Sequence, residues 1–275
     1  MCTITFLPTG PDSFILASNR DEQKIRPEST EPQQHVVNET RCLWPVDRQA
    51  GGTWIATNEF GVAFALMNDY QSQFVPSHDL ISRGNIIPEI ADCSSPRQVS
   101  NRFKHSKSLH KLSFQPFRLL MAKAGNGVRM WHFDGQTLHE GYQGNGAGIW
   151  VSAGKEEARI LKGRQKLFED YLKRSYAKNI NRIMDLHTTQ NGLTFTDYTD
   201  ADTPALFGFS MELKKVQTVS ATVIECPESE AGSVERGKSN SVRMHFMPGR
   251  PSPQKKWQTR ELVQSTNLPD NDRHS

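Results

Sequence analysis

The chain has 275 residues, 36% of them hydrophobic, and a formal net charge of +3, so it can bury a core but carries no basic excess typical of nucleic-acid binding. No run approaches the roughly 18 apolar residues of a membrane span, and the first residues lack the basic region of a signal peptide. We therefore expect a soluble cytoplasmic protein. Four scattered cysteines and nine dispersed histidines indicate no disulfide scaffold, no metal site and no cofactor.

The chain opens with a predicted hairpin of two strands. Two apolar segments flank a polar connection at residues 8–13, and the second segment runs into a polar group at residues 19–22. Counting back from the turn places Cys2 opposite Asn19 and next to Arg20 and Asp21, to within about one or two residues of register. The second residue is therefore a thiol held at a sheet end beside a cation and a carboxylate.

Loops, hairpins and helices alternate through the middle of the chain. Residues 26–40 are interpreted as a loop, and the pair Gly51-Gly52 permits a close approach of another backbone segment. The segment 62–67 is apolar on both faces, which predicts a central strand that ends at Asn68. Other predicted strands cover residues 53–57, 117–124, 128–133, 137–142, 149–152, 216–226 and 241–247, and predicted helices cover 77–87, 95–105, 156–176 and 179–186.

Runs of strands alternating with runs of helices, without βαβ units, predict an α+β fold of antiparallel sheets with helices on the outer faces. We expect one domain at residues 1–250. The last segment, residues 251–275, is rich in Pro, Gln and Lys and is expected to be a mostly disordered tail.

Cys2 is the candidate nucleophile. If Met1 is removed, Cys2 also carries a free α-amine, and a thiol and a base then lie on one residue. That amine has a reference pKa of roughly 7.7–8.0 and can take the thiol proton. Asp21 is placed to orient the amine, and Arg20 to lower the thiol pKa or to bind a substrate carboxylate.

The same catalytic set includes Asn19 and Asn68. Asn68 follows a later strand and can donate its side-chain N–H to a developing oxyanion, a contact worth about 3 kcal/mol. An ordinary polar turn at residues 19–22 is the alternative reading. Other chemistries lack their motifs: the glycine-rich segment 144–148 has no Lys-Ser/Thr ending, and Ser152 and Ser220 have no Gly-x-Ser-x-Gly context.

Several short motifs occur in a fixed order along the chain. They are Met1-Cys2-Thr3, Asn19-Arg20-Asp21-Glu22, Arg26-Pro27, Asp47, Gly51-Gly52-Thr53-Trp54, Asn68 and Ser82-Arg83-Gly84, with weaker matches at residues 163–168 and 218–220. Together they resemble the transport and Golgi organisation 2 family, also called the NRDE family after residues 19–22.

That family is similar to the N-terminal-nucleophile (Ntn) hydrolases, and the resemblance implies a four-layer αββα sandwich. The arrangement also resembles bile-salt hydrolases and penicillin V acylases. By that resemblance Cys2 is the nucleophile, Arg20 and Asp21 are its supporting pair, and Asn68 is the oxyanion donor. We expect the substrate to contact three further residues, Arg26, Trp54 and Ser152.

Two positions depart from the family pattern. Many members have Leu-Ser-Asn where this chain has Val151-Ser152-Ala153, and Met-His where it has Met211-Glu212. Roles in secretory organisation, lipid metabolism and haem handling have been proposed for eukaryotic members. Two hypotheses follow: a thiol hydrolase or acyltransferase acting on a small non-peptide amide or thioester, or a non-catalytic binding or trafficking module for lipid, acyl-thioester or haem on the same scaffold.

Overall fold

A computed structural model describes residues 2–74, 80–107, 109, 114–173, 179–190, 208–227 and 241–265 of the protein. The strands in this part of the chain are β1 (Cys2–Gly10), β2 (Ser13–Gln23), β3 (Gln33–Val37), β4 (Thr40–Trp44), β5 (Ile55–Asn58), β6 (Val62–Asn68), β7 (Phe117–Lys123), β8 (Gly127–Phe133), β9 (Leu138–Gly144), β10 (Gly148–Ser152), β11 (Val216–Cys226), β12 (Ser241–Pro248) and β13 (Gln258–Val263). The helices are α1 (Ile86–Ile90), α2 (Pro96–His105), α3 (Glu157–Lys173) and α4 (Ile180–Thr188).

The first sheet has the strand order β10-β1-β2-β11-β12-β13, and its strands pair in antiparallel fashion. Strand β2 is buried along most of its length because it is central and both of its faces are covered. Cys2 pairs with Arg20 on one side and with Ser152 on the other. The predicted register is thus off by one residue, which matters because directly opposed side chains share a face.

The second sheet is an antiparallel meander in the order β3-β4-β5-β6-β7-β8-β9. Strand β6 lies at its centre and is buried on both faces, as its apolar sequence predicts. It pairs with β7 along its whole length and ends at Asn68, opposite Phe117. The second sheet therefore places Asn68 at one end of the sandwich.

The two sheets pack face to face, and helices cover both outer faces. The core between the sheets includes Ile4, Leu16, Ile55, Met67, Ile224 and Phe246. Outside the first sheet, α3 and α4 contribute Phe168, Ile183 and Leu186 to a second cluster with Ile15 and Val223. Outside the second sheet, α1 and α2 contribute Ile86, Ile90 and Val99 to a third cluster with Phe64 and Leu119. This arrangement confirms the predicted α+β fold and its four αββα layers. Among the helices described, none has the length and apolarity needed to cross a membrane.

Three sequence expectations differ from the structure. The segment 26–40 contains the edge strand β3, whose polar and exposed side chains give no apolar alternation to read. The predicted helix at 77–87 begins in residues outside the described part, and its later portion is a 3-10 turn, Arg83–Asn85, followed by α1.

The predicted disordered tail at 251–275 is wrong for β13, which pairs with β12 and buries Leu262. A single buried apolar side chain in a polar strand is a weak sequence signal. Residues 266–275 lie outside the described part, and the single domain at 1–250 stays a prediction.

Candidate active site

A cavity of about 400 Å³ lies where β1 begins and β6 ends, and we call it the Cys2 cavity. The predicted site residues that line it are Cys2, Arg20, Arg26, Trp54 and Asn68. Cys2 is half-buried, whereas the other three cysteines of the chain are buried. The structure therefore gathers residues that are up to 66 positions apart in sequence around one accessible thiol.

Arg20 is fixed by an ion pair and by an aromatic ring. Its Nη2 donates to Asp47 Oδ2 at 2.7 Å, and its guanidinium carbon lies 4.4 Å from the centroid of the Trp54 ring. Arg26 donates to the same Asp47 oxygen from Nη2 at 2.5 Å and from Nε at 3.2 Å. Burial alone would raise the pKa of Asp47, but the Arg26 hydrogen bond and the Arg20 charge hold it below its usual range.

The Cys2 thiol is not ionised by its surroundings alone. Burial raises its pKa, and the Asp21 carboxylate adds to this effect. The charge of the N-terminal ammonium, a hydrogen bond from the Asp21 backbone N–H and the charge of Arg20 act in the opposite direction but do not compensate. Nucleophilic attack by Cys2 at neutral pH therefore requires a base that removes the thiol proton.

Asp21 lies beneath Cys2, on the face of the sheet that α3 and α4 cover. Its Oδ1 accepts a hydrogen bond from Thr218 Oγ1 at 2.6 Å, while its buried Oδ2 has no hydrogen-bond partner in the described residues. Burial raises the pKa of Asp21, and the fully buried Arg164, which donates to Thr3 Oγ1, lowers it. One carboxylate oxygen is thus held in place and one is available.

Asn19 lies on the same face as Asp21 and points away from the Cys2 cavity. Its Nδ2 donates to the backbone oxygens of His187 at 2.9 Å and Phe209 at 2.7 Å, and its Oδ1 contacts His187 Nδ1. Burial lowers the pKa of His187 to about 3, so this ring is neutral. The structure does not bring Asn19 to the thiol; its amide joins β2 to the α4 layer instead.

Asn68 and Ser152 approach Cys2 from its other sides. Asn68 lines the cavity, and its Nδ2 donates to the Tyr70 hydroxyl at 2.6 Å with one of its two N–H groups. Ser152 pairs with Cys2, but it is buried and its hydroxyl donates to the Asn68 backbone oxygen at 2.6 Å. Ser152 therefore positions Asn68 rather than lining the cavity as expected of a substrate contact. The neighbouring Ala153 donates its backbone N–H to Glu157 Oε2 at 2.8 Å.

Three charged residues of the cavity wall had no assigned role in the sequence predictions: Glu22, Asp47 and Arg83. Each stands in one of the motifs that carry the family resemblance, and that was the available signal. Glu22 accepts from Arg26 Nη1 at 3.4 Å. The second departure from the family pattern, Glu212, lies at the surface, where it pairs with Lys24 at 2.6 Å and with Arg250.

The family model described as Transport and Golgi organisation 2 matches residues 1–260 of the chain. No curated protein matches the chain. The solved structures that resemble it include the N-acylethanolamine-hydrolyzing acid amidase ortholog of Caenorhabditis elegans, with 11% identity, a TM-score of 0.50, and coverage of 81% of this chain and 92% of that one.

Two bacterial structures are similar to a comparable degree. The C2A mutant of conjugated bile acid hydrolase from Clostridium perfringens has 11% identity, a TM-score of 0.51, and coverage of 96% of this chain and 92% of that one. Penicillin V acylase from Agrobacterium tumefaciens has 10% identity, a TM-score of 0.50, and coverage of 96% and 86%. At these identities the likeness concerns the fold, which is the Ntn-hydrolase sandwich.

Proposed function

Because this chain belongs to the Transport and Golgi organisation 2 family and has an Ntn-hydrolase-like fold, we propose that it is a thiol-dependent acyl-transfer enzyme. In this proposal Cys2, exposed by removal of Met1, attacks the carbonyl of a small non-peptide amide or thioester. The structural neighbours are named as an amidase, a bile acid hydrolase and an acylase, which supports acyl-transfer chemistry on a small molecule. A cytoplasmic location belongs to the same proposal.

The observation that carries the proposal is the buried Asp21 Oδ2 without a hydrogen-bond partner in the described residues. A buried carboxylate oxygen without a donor is costly, and such groups in native proteins call for an explanation. Cys2 pairs with Arg20, the residue before Asp21, and an ammonium on Cys2 would lie at the level of the β1–β2 backbone. The ammonium that forms when the Cys2 amine takes the thiol proton would be a donor to this oxygen.

The chemistry then follows from the positions of these groups. The Cys2 α-amine takes the thiol proton, and the sulfur forms a bond to the substrate carbonyl carbon. Asn68 donates to the resulting oxyanion through the N–H that Tyr70 does not use. The carbonyl re-forms as the C–N or C–S bond breaks, and the proton passes to the leaving nitrogen or sulfur. Water, or another acceptor, then cleaves the acyl-cysteine in the same way.

Intact-mass measurement of the full chain, followed by labelling with an electrophilic acyl probe, tests the proposal. We expect a mature protein that begins at Cys2 and a single labelled residue, Cys2, because burial raises the pKa of the other three thiols to about 12. Cys2→Ala should abolish labelling and leave the unfolding transition unchanged within about 1 kcal/mol, since Cys2 is at a sheet end.

Cys226→Ala is the matched control, because Cys226 is a buried cysteine of the same sheet and should not affect labelling. Retention of Met1 in the mature protein would block the α-amine and contradict the proposal. A mature Cys2 that the acyl probe does not label would also contradict it, and the binding or trafficking alternative would then be preferred.

A further inference from the structure

Arg83 lies on the wall of the Cys2 cavity and is half-buried. Its Nη1 donates to the Pro116 backbone oxygen at 2.9 Å. No carboxylate among the described residues lies within ion-pair distance of its guanidinium, and the remaining N–H groups have no protein partner there. These donors are available to a ligand.

The other two cavity arginines are in a different situation. Arg20 and Arg26 both donate to Asp47, and Arg26 also contacts Glu22. The cavity wall therefore carries three guanidinium groups and two carboxylates, and the carboxylates are used by two of the three cations. The unbalanced positive charge belongs to Arg83. Burial lowers the pKa of Arg83, so an anionic partner would stabilise its charged form.

The backbone around Arg83 is held firmly. A Cβ atom added at Gly52 would lie 2.3 Å from the Gly84 carbonyl carbon, so the two segments touch at the level of the main chain. Thr53 N donates to Gly84 O at 3.0 Å, and the Ser82 hydroxyl accepts from Gly84 N at 3.3 Å. The two glycine-containing motifs thus hold the backbone next to Arg83, and the hydrogen bond to Pro116 holds its guanidinium.

We propose that Arg83 is a specificity-determining residue that binds an anionic group, a carboxylate or another oxyanion, on the ligand of the Cys2 cavity. The guanidinium fork matches the two oxygens of a carboxylate and forms charge-assisted hydrogen bonds with it. On the same wall, Leu80 and Ile81 offer apolar contact to an acyl chain. The ligand class is therefore an acylated compound with an oxyanion, and the inference rests on the proposed function in so far as the acyl group reacts at Cys2.

Ligand binding to the Cys2→Ala protein tests this without any chemistry. The probes for isothermal titration calorimetry are N-hexanoylglycine, its phosphonate analogue N-hexanoyl-aminomethylphosphonate, and the neutral N-hexanoylglycinamide. We expect at least one anionic probe to bind about tenfold or more tightly than the neutral one. Adding Arg83→Gln should weaken binding of the anionic probe to about the level of the neutral one, and Arg83→Lys should retain part of the preference. The preferred anion distinguishes a carboxylate ligand from a phosphate-like one.

Arg129→Gln is the matched control, because Arg129 is half-buried, stacks on Tyr142 and does not line the cavity. Thermal unfolding verifies that each variant is folded. An anion preference that survives Arg83→Gln overturns the inference, as does the absence of binding by all three probes. Because Cys2 is replaced throughout, a failed acyl-labelling experiment contradicts the proposed function and leaves this result standing.

Discussion

Arg20→Met and Asp47→Asn, made singly and together, test the ion pair on the wall of the Cys2 cavity. The two single variants are not equivalent. After Arg20→Met, Asp47 keeps Arg26 as a partner at 2.5 Å, so no charge is left unpaired. After Asp47→Asn, the buried Arg20 loses the carboxylate with which it pairs at 2.7 Å. We therefore expect Asp47→Asn to be the more destabilising change.

The structure sets approximate magnitudes for these effects. Arg20→Met removes a hydrogen bond between charged groups and the stacking on Trp54, with a cost of about 2–3 kcal/mol because the Met side chain keeps part of the packing. Asp47→Asn leaves a buried cation, at a cost of roughly 3–5 kcal/mol. The double variant should lose less free energy of unfolding than the two single variants added together, and the difference, the coupling energy, should be about 1–3 kcal/mol.

Urea unfolding at pH 7 gives the free energy of unfolding of the wild type, the two single variants and the double variant, which together form a double-mutant cycle. Arg41→Met and Glu59→Gln form the control cycle. This pair is also 2.7 Å apart, but the Arg41 side chain is 40% exposed. The coupling energy of the Arg41–Glu59 pair should therefore be about 0–1 kcal/mol. Because the pKa of Asp47 is lowered in the folded protein, Asp47 contributes fully to the free energy of unfolding above its unfolded-state pKa of about 3.9. This contribution is lost as the pH falls below that value. An Arg20–Asp47 coupling no larger than the control would refute the reasoning.

Two further predictions concern the helix-covered face of β2. Asn19→Ala should cost about 2–4 kcal/mol in urea unfolding, because two buried carbonyl oxygens lose their donor, while the rate of acyl labelling of folded Cys2 stays unchanged; slower labelling would show that Asn19 acts in the reaction. The His187 pKa of about 3 lies below its unfolded value of about 6.5, so its contribution to stability is present above pH 6.5 and is lost as the pH falls towards 3. His187→Gln should reduce the number of protons taken up on unfolding between these pH limits by about one, measured as the slope of the free energy of unfolding against pH. An unchanged slope would contradict the low pKa of His187.

The alternation of strand runs with helix runs predicted the antiparallel α+β fold, the family resemblance implied its four layers, and Cys2 at the start of β1 marked one end of the site. The error of one residue in register has a local cause. The strands continue into the predicted connection, to Gly10 and Ser13, and a bulge between Pro8 and Gly10 then shifts the pairing by one residue, which hydrophobic alternation does not encode. Ser152 was predicted to contact the substrate, but whether its hydroxyl faces a ligand or the Asn68 backbone depends on the second sheet.

The position of Arg83 on the cavity wall could not be predicted from the sequence, for a related reason. Its position depends on a main-chain contact between Gly52 and Gly84, which are 32 residues apart. Local sequence explains why glycine can occupy each position, but not that the two positions meet. Likewise, the pairing of Asp47 with two arginines is visible only when the wall of the cavity has formed.

The corrected register also limits how Asp21 can act. Cys2 and Arg20 share the face between the sheets, whereas Asp21 lies on the face covered by α3 and α4, where it contacts Thr218. A carboxylate on that face is poorly placed to take the proton from the thiol side chain itself. It can act on the strand backbone that lies between the two faces, and after Met1 removal the Cys2 α-amine is part of that backbone. The geometry therefore favours an indirect role, in which Asp21 orients the amine and the amine, rather than Asp21, takes the thiol proton.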